Sequence, residues 1–287
     1  MINEVTVIVR TFNSEDMIVS CLESITKQKN VIIKLLIVDS GSTDSTLDLI
    51  QNYPHEIINI PAGTYIPGPV LNTAISKSET DIVVFVNSDV ALLSDKTISY
   101  LIEPIKSDGA VVATFGRQIA RPEAELYVKY EYSKSFPRHY GDSPSWMHYS
   151  LPIAALKKST WDDGFQFYQD SWGSEDTHLG VLLKNSGFQV LYIPRAIAMH
   201  SHNYTFRQLK SRMEIEGAAD FYIFPNSKPS FFKMFIKQSL LLTFVYAKNK
   251  QFSRIPYIIL NKYISAKYYM RGFKKSKNKE TVIGNYQ

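Results

Sequence analysis

The sequence predicts an α/β protein built on a doubly wound, mainly parallel β-sheet with helices on both faces. Apolar runs of strand length alternate with segments in which apolar residues recur at helical spacing, in the order β-α-β-α-β-α-β between residues 5 and 89. Polar and acidic residues follow the first, second and fourth strand-like runs directly. Open α/β sheets bind their ligands at those strand ends. The order of elements therefore predicts the fold, and the polar residues predict the place of a site.

The predicted elements follow one another without an internal repeat or a low-complexity linker. Ser14 is the predicted N-cap of the first helix, in which Ile18 and Leu22 are spaced as on one helical face. Thr43 or Asp44 begins the second helix. In chain order, strands are predicted at residues 5–13, 34–38, 55–61 and 81–89, and helices at residues 14–28, 43–53 and 68–78.

Charge divides the chain into two predicted parts. The formal net charge is +5, yet residues 228–287 contain thirteen Lys or Arg and one acidic residue, which leaves residues 1–227 with a balance of −7. We predict an α/β domain at residues 1–227 and a basic, aromatic-rich helical extension at residues 228–287. The single cysteine, Cys21, excludes a disulfide framework and fits a reducing cytosol. We find neither a secretory leader nor the roughly 18 consecutive apolar residues of a spanning helix.

The basic extension has two explanations that the sequence leaves open. It is either a helical hairpin that packs on the domain or on a second copy of the chain, or a helical surface that lies on an anionic membrane. In the second case the aromatic and aliphatic side chains enter the lipid and the lysines reach the headgroups. No nucleic-acid-binding module is recognisable, so no nucleic acid is expected as a partner. The apolar residues concerned are Phe231, Phe232, Phe235, Leu240, Leu241 and Phe244.

Neither common phosphate-binding loop is present. The G-x-G-x-x-G fingerprint is absent after the first strand, and so is G-x-x-x-x-G-K-[ST]. A diphosphate then needs another counter-charge, and a divalent metal held by carboxylate and imidazole is the usual one. Asp89, directly after the fourth strand, is placed to hold it.

Four segments in succession carry a resemblance to a known family. The segments "VIVRTFNSEDMIVSCLESI", "LLIVDSGSTDST", "DIVVFVNSDV" and "GSEDTHL" resemble, in order and spacing, the signatures of family 2 glycosyltransferases of the GT-A fold. The resemblance covers roughly residues 4–205. It implies a nucleoside-diphosphate sugar, UDP- or dTDP-linked, as the donor.

The resemblance implies a role for individual strand-end residues. Thr11 and Asn13 are expected to line the base pocket, and Asp39 to bond a pyrimidine edge. Asn87 and Asp89 match the D-x-D motif, which touches the ribose and holds Mg²⁺ or Mn²⁺ at the diphosphate.

The helix after the third strand is expected to contact the donor through Asn72. This chain has Leu71 before Asn72, where the family usually has an arginine. Asn87 in turn replaces the first carboxylate of D-x-D, so the metal needs another ligand. The resemblance suggests an imidazole from "IPRAIAMHSHNYT", either His200 or His202, of which His200 directly follows the apolar run.

Catalysis is expected at "SWGSEDTHL", where Ser174 is the predicted cap of a helix that begins with Glu175 and Asp176. The resemblance implies that Asp176 is the general base of an inverting transfer and that Glu175 orients the acceptor. Trp172 either stacks on a sugar or packs in the core. Residues 116–150 are expected to form a mobile loop that closes over the donor or receives the acceptor.

Together these features predict an inverting, metal-dependent glycosyltransferase. We expect it to act at the cytoplasmic face of the membrane on a growing, lipid-linked bacterial polysaccharide, with a rhamnosyl or hexosyl donor. A sugar nucleotidyltransferase is the alternative enzyme, although "RTFNSED" lacks the glycine-rich loop that this class needs. A nucleotide-sugar-binding protein without turnover is the alternative that is not an enzyme.

Overall fold

A computed structural model describes residues 3–139, 147–170 and 172–278. The chain forms two compact units. The first contains Met1–Pro122, Tyr132–Asp170 and Glu175–Ser201, and the second contains Glu123–Glu131, Ser171–Ser174 and His202–Gln287.

Eight strands form one sheet, which belongs to the first unit. In chain order the strands are β1 (Asn3–Thr11), β2 (Val31–Asp39), β3 (Glu56–Asn59), β4 (Ile82–Asn87), β5 (Ala91–Leu92), β6 (Val111–Ile119), β7 (Ile153–Lys157) and β8 (Gln189–Met199).

The helices in the described part of the chain lie between and after these strands, with a short 3₁₀ turn at Phe252–Arg254. In chain order they are α1 (Ile18–Thr26), α2 (Thr46–Ile50), α3 (Pro67–Lys77), α4 (Thr97–Ser107), α5 (Leu126–Ser135), α6 (Lys158–Asp162), α7 (Glu175–Asn185), α8 (Phe206–Ile223), α9 (Phe231–Lys248) and α10 (Ile255–Lys277).

The strand order is β3-β2-β1-β4-β7-β6-β8-β5. The first four of these strands are parallel neighbours, and β6 pairs in parallel with β8. The antiparallel pairs are β4–β7, β6–β7 and β5–β8. The chain moves outward from β1 to β3 and then returns to the other side of β1 with β4. The predicted doubly wound, mainly parallel sheet is confirmed, and its switch point lies between β1 and β4.

Two apolar layers cover the two faces of this sheet. On one face, Ile18 and Leu22 of α1 pack with Leu101 of α4. On the other, Leu71 of α3 and Leu179 of α7 share a second buried cluster. The strands alternate between the layers because successive side chains of a strand point to opposite faces. The prediction of helices on both faces is therefore confirmed.

Strand register brings the predicted site residues to one edge of the sheet. Thr11 at the end of β1 stands opposite Asp39 at the end of β2. Arg10 stands opposite Asn87 at the end of β4. The carboxyl ends of three strands therefore place their polar side chains side by side at the switch point.

Three local predictions differ from the structure. The helix α1 begins at Ile18, and Ser14 starts the preceding turn through its carbonyl, which accepts from Met17 and Ile18. Helix α2 has Ser45 as its N-cap, one residue beyond Asp44. The segment expected to be a closing loop contains part of β6 and the helix α5. Its residues 140–146 lie outside the described part of the chain.

The second unit is helical and includes α8 as well as α9 and α10. Its main segment begins at His202, whereas charge alone placed the boundary at 227. Helices α8 and α10 approach closely at Gly217 and Gly272. A Cβ at Gly217 would lie 2.0 Å from the carbonyl oxygen of Tyr269, and one at Gly272 would lie 1.8 Å from that of Glu214. Larger residues at either glycine would force the two helices apart.

Helix α9 exposes a row of apolar side chains to solvent. Phe232, Ile236, Leu240 and Phe244 recur every four residues on one helical face, and they are 70%, 48%, 68% and 67% exposed. We call this row the α9 stripe. No helix among the described residues is both long enough and apolar enough to span a membrane.

Candidate active site

Two loops at the strand ends are tied together by short polar side chains. The buried carboxylate of Asp39 accepts hydrogen bonds from the backbone N–H groups of Gly41 and Ser42, at 2.9 and 3.0 Å. Asn13 has the left-handed φ of +45° and accepts from the N–H of Thr43 at 2.8 Å. These bonds fix the loops after β1 and β2 as one surface.

Thr11, one of the predicted site residues, has a buried hydroxyl that makes no hydrogen bond within the described part of the chain. The residue is 3% exposed. A buried hydroxyl without a partner costs free energy, roughly 1–3 kcal/mol. A ligand at the end of β1 would satisfy it, which agrees with the base pocket expected there.

Asp89 and His200 form the second part of the site. Asp89 follows β4, and His200 directly follows β8. Oδ2 of Asp89 lies 3.4 Å from Nε2 of His200, and the two side chains are 23% and 7% exposed. The carbonyl oxygen of Asp89 accepts from the guanidinium of Arg121. The predicted carboxylate and the favoured histidine are therefore neighbours within the first unit.

Gln118 orients the imidazole of His200. Nε2 of Gln118 donates to the hydroxyl of Ser150 at 2.9 Å, so Oε1 of Gln118 faces Nδ1 of His200, at 2.8 Å. Because that amide oxygen can only accept, Nδ1 carries the hydrogen, and the hydroxyl of Tyr132 lies 3.3 Å from the same nitrogen. Nε2 is then the ring atom that faces Asp89. Histidines that ligate a metal are commonly held by such a hydrogen bond from their other ring nitrogen.

Arg10 connects the end of β4 to the start of α7. Its guanidinium donates to Oδ1 of Asn87 at 3.1 Å and to the hydroxyl of Tyr65 at 3.2 Å. It also pairs with Oε1 of Glu175 at 3.1 Å. Both partners of this ion pair are largely buried, with side chains 16% and 10% exposed. Asn87 and Glu175, predicted to act on the donor and the acceptor, thus share one cation.

Asp176 occupies the first turn of α7 beside Glu175. Its carboxylate accepts from the N–H of Leu151 at 3.2 Å and from that of Thr177 at 2.7 Å. Burial, together with the negative charge of Glu175, raises the pKa of Asp176 to about 6. A carboxylate with this pKa is ionised at neutral pH and accepts a proton more readily than an ordinary aspartate.

Ser174 does not have the backbone of a usual N-cap. Its φ is +59°, in the left-handed region, whereas cap residues have extended backbone. This left-handed residue directly precedes Glu175 and Asp176.

Asn72 is held inside the first unit. Its amide oxygen accepts from Nε1 of Trp161 and from the N–H of Phe167, at 2.9 and 3.0 Å. Its amide nitrogen donates to the carbonyl of Phe167 at 2.8 Å. Both lone pairs of the oxygen are used, which leaves one amide hydrogen for a ligand. Leu71, which precedes it, is fully buried in the core.

Two predicted site residues belong to the second unit. Trp172 lies in the segment Ser171–Ser174, and His202 opens the segment His202–Gln287. Trp172 is half-buried, and His202 is exposed. The stacking of Trp172 on a sugar and a role for His202 stay predictions that rest on the sequence.

Sequence patterns did not identify Arg10, Gln118 and Ser150. Arg10 had a signal, because it is a charged residue at the end of an otherwise apolar strand. Gln118 and Ser150 had none, because their role comes from contacts between β6 and a distant loop.

Solved structures share this fold at low sequence identity. A mannosyltransferase from Pyrobaculum calidifontis, solved with GDP-Man and Mn²⁺, matches with a TM-score of 0.67 and 16% identity, over 95% of this chain and 86% of its own. Staphylococcus aureus TarS 1–349, solved with UDP-GlcNAc, matches with a TM-score of 0.58 and 15% identity, over 99% and 93%.

Curated relatives are more similar in sequence. The O-antigen chain rhamnosyltransferase RfbN of Salmonella typhimurium is 28% identical over 216 residues, which cover 71% of this chain and 68% of that protein. The O-antigen chain rhamnosyltransferase WbaN of Salmonella anatum is 31% identical over 194 residues, or 63% and 61%. The family model named glycosyl transferase family 2 matches residues 6–165, more than half of the chain. The chain therefore belongs to glycosyl transferase family 2.

Proposed function

We propose that this protein transfers a sugar from a nucleoside diphosphate to a hydroxyl of a growing bacterial polysaccharide, with inversion at the anomeric carbon. The observation that carries the proposal concerns the end of β4: Asp89, which follows this strand, pairs with His200, and Asn87 is joined through Arg10 to the acidic start of α7. A rhamnosyl donor is favoured over another hexosyl donor because two relatives are named O-antigen rhamnosyltransferases. We expect a UDP- or dTDP-linked sugar and a lipid-linked acceptor.

The first step of the proposal is metal binding by Asp89 and His200. Two ligands of an octahedral Mg²⁺ site, each about 2.1 Å from the ion, stand about 3 Å apart. The separation of 3.4 Å between Oδ2 and Nε2 fits such a pair. His202, two residues after His200, is the further candidate. Mg²⁺ or Mn²⁺ bound here would neutralise the diphosphate and stabilise it as a leaving group.

The second step is donor binding at the ends of β1, β2 and β4. The unpartnered hydroxyl of Thr11 supports a polar ligand at β1. The fixed loops that carry Asn13 and Asp39 supply the base pocket. Asn87 bonds the ribose through its amide, and Asn72 holds the neighbouring segment in place.

The third step is proton removal by Asp176. An inverting transfer needs one base, which takes the proton of the acceptor hydroxyl as that oxygen attacks the anomeric carbon. The pKa of Asp176, raised to about 6 by burial and by the charge of Glu175, suits that task at neutral pH. Glu175, fixed by Arg10, orients the acceptor.

We also propose that the second unit holds the enzyme at the cytoplasmic face of the membrane. The α9 stripe presents four exposed apolar side chains, and exposed Lys233 and Lys237 directly follow two of them. Apolar residues beside basic ones suit the boundary of an anionic bilayer. An interface between two copies of the chain is the alternative use of the same face.

The test of this function is transfer itself. Purified protein is incubated with UDP- and dTDP-linked sugars, Mn²⁺ and a short saccharide acceptor, and release of the nucleoside diphosphate is followed. Release that depends on the acceptor supports a transferase. Binding without release would support the binding protein without turnover. In a separate assay with a nucleoside triphosphate and a sugar 1-phosphate, formation of a nucleotide sugar and pyrophosphate would support the nucleotidyltransferase.

A further inference from the structure

Arg10 has contacts that a purely structural arginine at a strand end does not need. Its guanidinium reaches Asn87, Tyr65 and Glu175 at once, and its side chain is only 16% exposed. Burial of a guanidinium costs free energy that its partners must offset. Of these partners only Glu175 carries a charge. Within the described part of the chain, Glu175 is therefore the one counter-ion in contact with this cation.

The neutral side chain of Asn87 leaves Glu175 as the ion-pair partner of Arg10. An aspartate there would stand opposite Arg10 and compete with Glu175 for it, because Arg10 and Asn87 are register partners on β1 and β4. The neutral amide of Asn87 accepts one hydrogen bond and leaves the ion pair with Glu175 undivided. The two residues complement each other, because Arg10 faces a neutral amide at position 87 and not a second carboxylate.

We propose that Arg10 is a positioning residue that sets the arrangement of the catalytic helix start relative to the donor-binding end of β4. The proposal rests on the proposed function, in which Asn87 contacts the donor and Glu175 and Asp176 act on the acceptor. The planar guanidinium fork fixes both groups at once, which a lysine ammonium does not do. Arg10 also adds a positive charge beside two neighbouring carboxylates.

That charge predicts an effect on the base. The groups that face Asp176 are Glu175, whose charge raises its pKa, and Arg10, whose charge lowers it, together with Tyr149, which is neutral at working pH. Backbone N–H groups of Leu151 and Thr177 also lower it. Loss of Arg10 removes a cation, so Asp176 should need a higher pH to ionise.

The experiment compares Arg10→Met and Arg10→Lys with the wild type, in saturating Mn²⁺. We expect the acid limb of kcat/KM against pH to move to higher pH in Arg10→Met, because the cation that lowers the pKa of Asp176 is lost. Arg10→Lys should leave the limb in place and lower kcat, because it keeps the charge and loses the fork. An acid limb that does not move in Arg10→Met overturns the proposal, since a merely structural role would not set its position.

The double variant Arg10→Met/Glu175→Gln covers the case in which Arg10→Met alone does not fold, because it removes both buried charges. We expect kcat/KM of the double variant to fall by a smaller factor than the product of the factors for the two single variants. If Arg10→Met does not fold, we expect the double variant to have a larger folded fraction than Arg10→Met. Independent losses that multiply would contradict the coupling. The variant Asp176→Asn separates the two proposals. If Asp176→Asn stays active, the proposed function is wrong. If Asp176→Asn is inactive and the acid limb of Arg10→Met does not move, only the inference about Arg10 is wrong.

Discussion

Oδ2 of Asp89 lies 3.4 Å from Nε2 of His200, although the two residues follow different strands, β4 and β8. In the sheet β7 and β6 stand between those strands, so only the loops beyond the strand ends bring the side chains together. Oε1 of Gln118 lies behind the imidazole, 2.8 Å from Nδ1, so Nε2 is the ring atom that faces Asp89. This pair is the basis of the predicted metal dependence.

We predict that nucleotide binding needs a divalent cation. Because Asn87 brings no charge, Kd for UDP or dTDP should rise at least about tenfold when EDTA replaces Mn²⁺, and Asp89→Asn and His200→Ala should have the same effect with Mn²⁺ present. Isothermal titration calorimetry measures it. Asp81→Asn and His55→Ala are matched controls at the amino ends of β4 and β3, and they should bind as the wild type does. Equal affinity with Mn²⁺ and with EDTA would remove the metal from the mechanism.

We predict that activity falls on the acid side of pH 6. The pKa of Asp176 is raised to about 6, so the base form exists only above that pH, and kcat/KM should drop about tenfold per unit below it. Asp176→Asn should lower kcat by roughly 10²–10⁴-fold with donor affinity nearly unchanged. An initial-rate series from pH 4.5 to 8.5 in saturating Mn²⁺ measures both. A variant that retains wild-type turnover would show that another group is the base.

We predict that the ionised carboxylate of Asp176 destabilises the folded protein at neutral pH. Its pKa is raised in the folded state, so its neutral form is favoured by folding, and its contribution to stability is lost as pH rises from about 4 to about 6. The melting temperature of Asp176→Asn relative to the wild type should therefore increase over that pH range. A hydrogen bond lost in Asp176→Asn changes the melting temperature by the same amount at every pH, so it does not produce this increase. A constant difference from pH 4 to 7 would mean that the pKa of Asp176 is not raised.

We predict that the α9 stripe carries membrane binding. Full-length protein should sediment with vesicles that contain phosphatidylglycerol, and Ile236→Ser/Leu240→Ser should not, because the apolar part of the contact is lost. Salt should weaken binding only in part, since it screens the lysines and not the apolar contact. Ile32→Ser is the matched control, because Ile32 is 50% exposed in the first unit.

The same variants separate a membrane contact from a contact between copies of the chain. If the stripe is an interface between copies, Ile236→Ser/Leu240→Ser should change the mass measured by light scattering while vesicle sedimentation of the wild type is absent. That outcome would contradict the membrane proposal and favour the homo-oligomer.

Sequence patterns predicted the sheet well for a physical reason. Parallel strands that are buried on both faces are continuous apolar runs, and their ends are marked by the first polar residues, such as Asp39 and Asn87. Polar residues at the ends of neighbouring parallel strands meet at one edge, so their proximity follows from the strand order.

Other features depend on contacts that leave no local pattern. The close approach of α8 and α10 at Gly217 and Gly272 is one such feature, because the change of charge along the chain comes after α8. The left-handed turn at Ser174 is unexpected because serine before an acidic pair resembles an ordinary N-cap. Arg10 could have been found, since a charge at the end of an apolar strand needs a partner.

The most direct measurement is the transfer reaction with the anomeric configuration of its product determined by NMR. Wild type, Asp89→Asn and Asp176→Asn are each incubated with a dTDP- or UDP-linked sugar and a saccharide acceptor, with Mn²⁺ or with EDTA. We predict a product of inverted configuration that forms only with wild type and Mn²⁺. A product of retained configuration, or undiminished transfer by Asp176→Asn, would contradict the proposed mechanism.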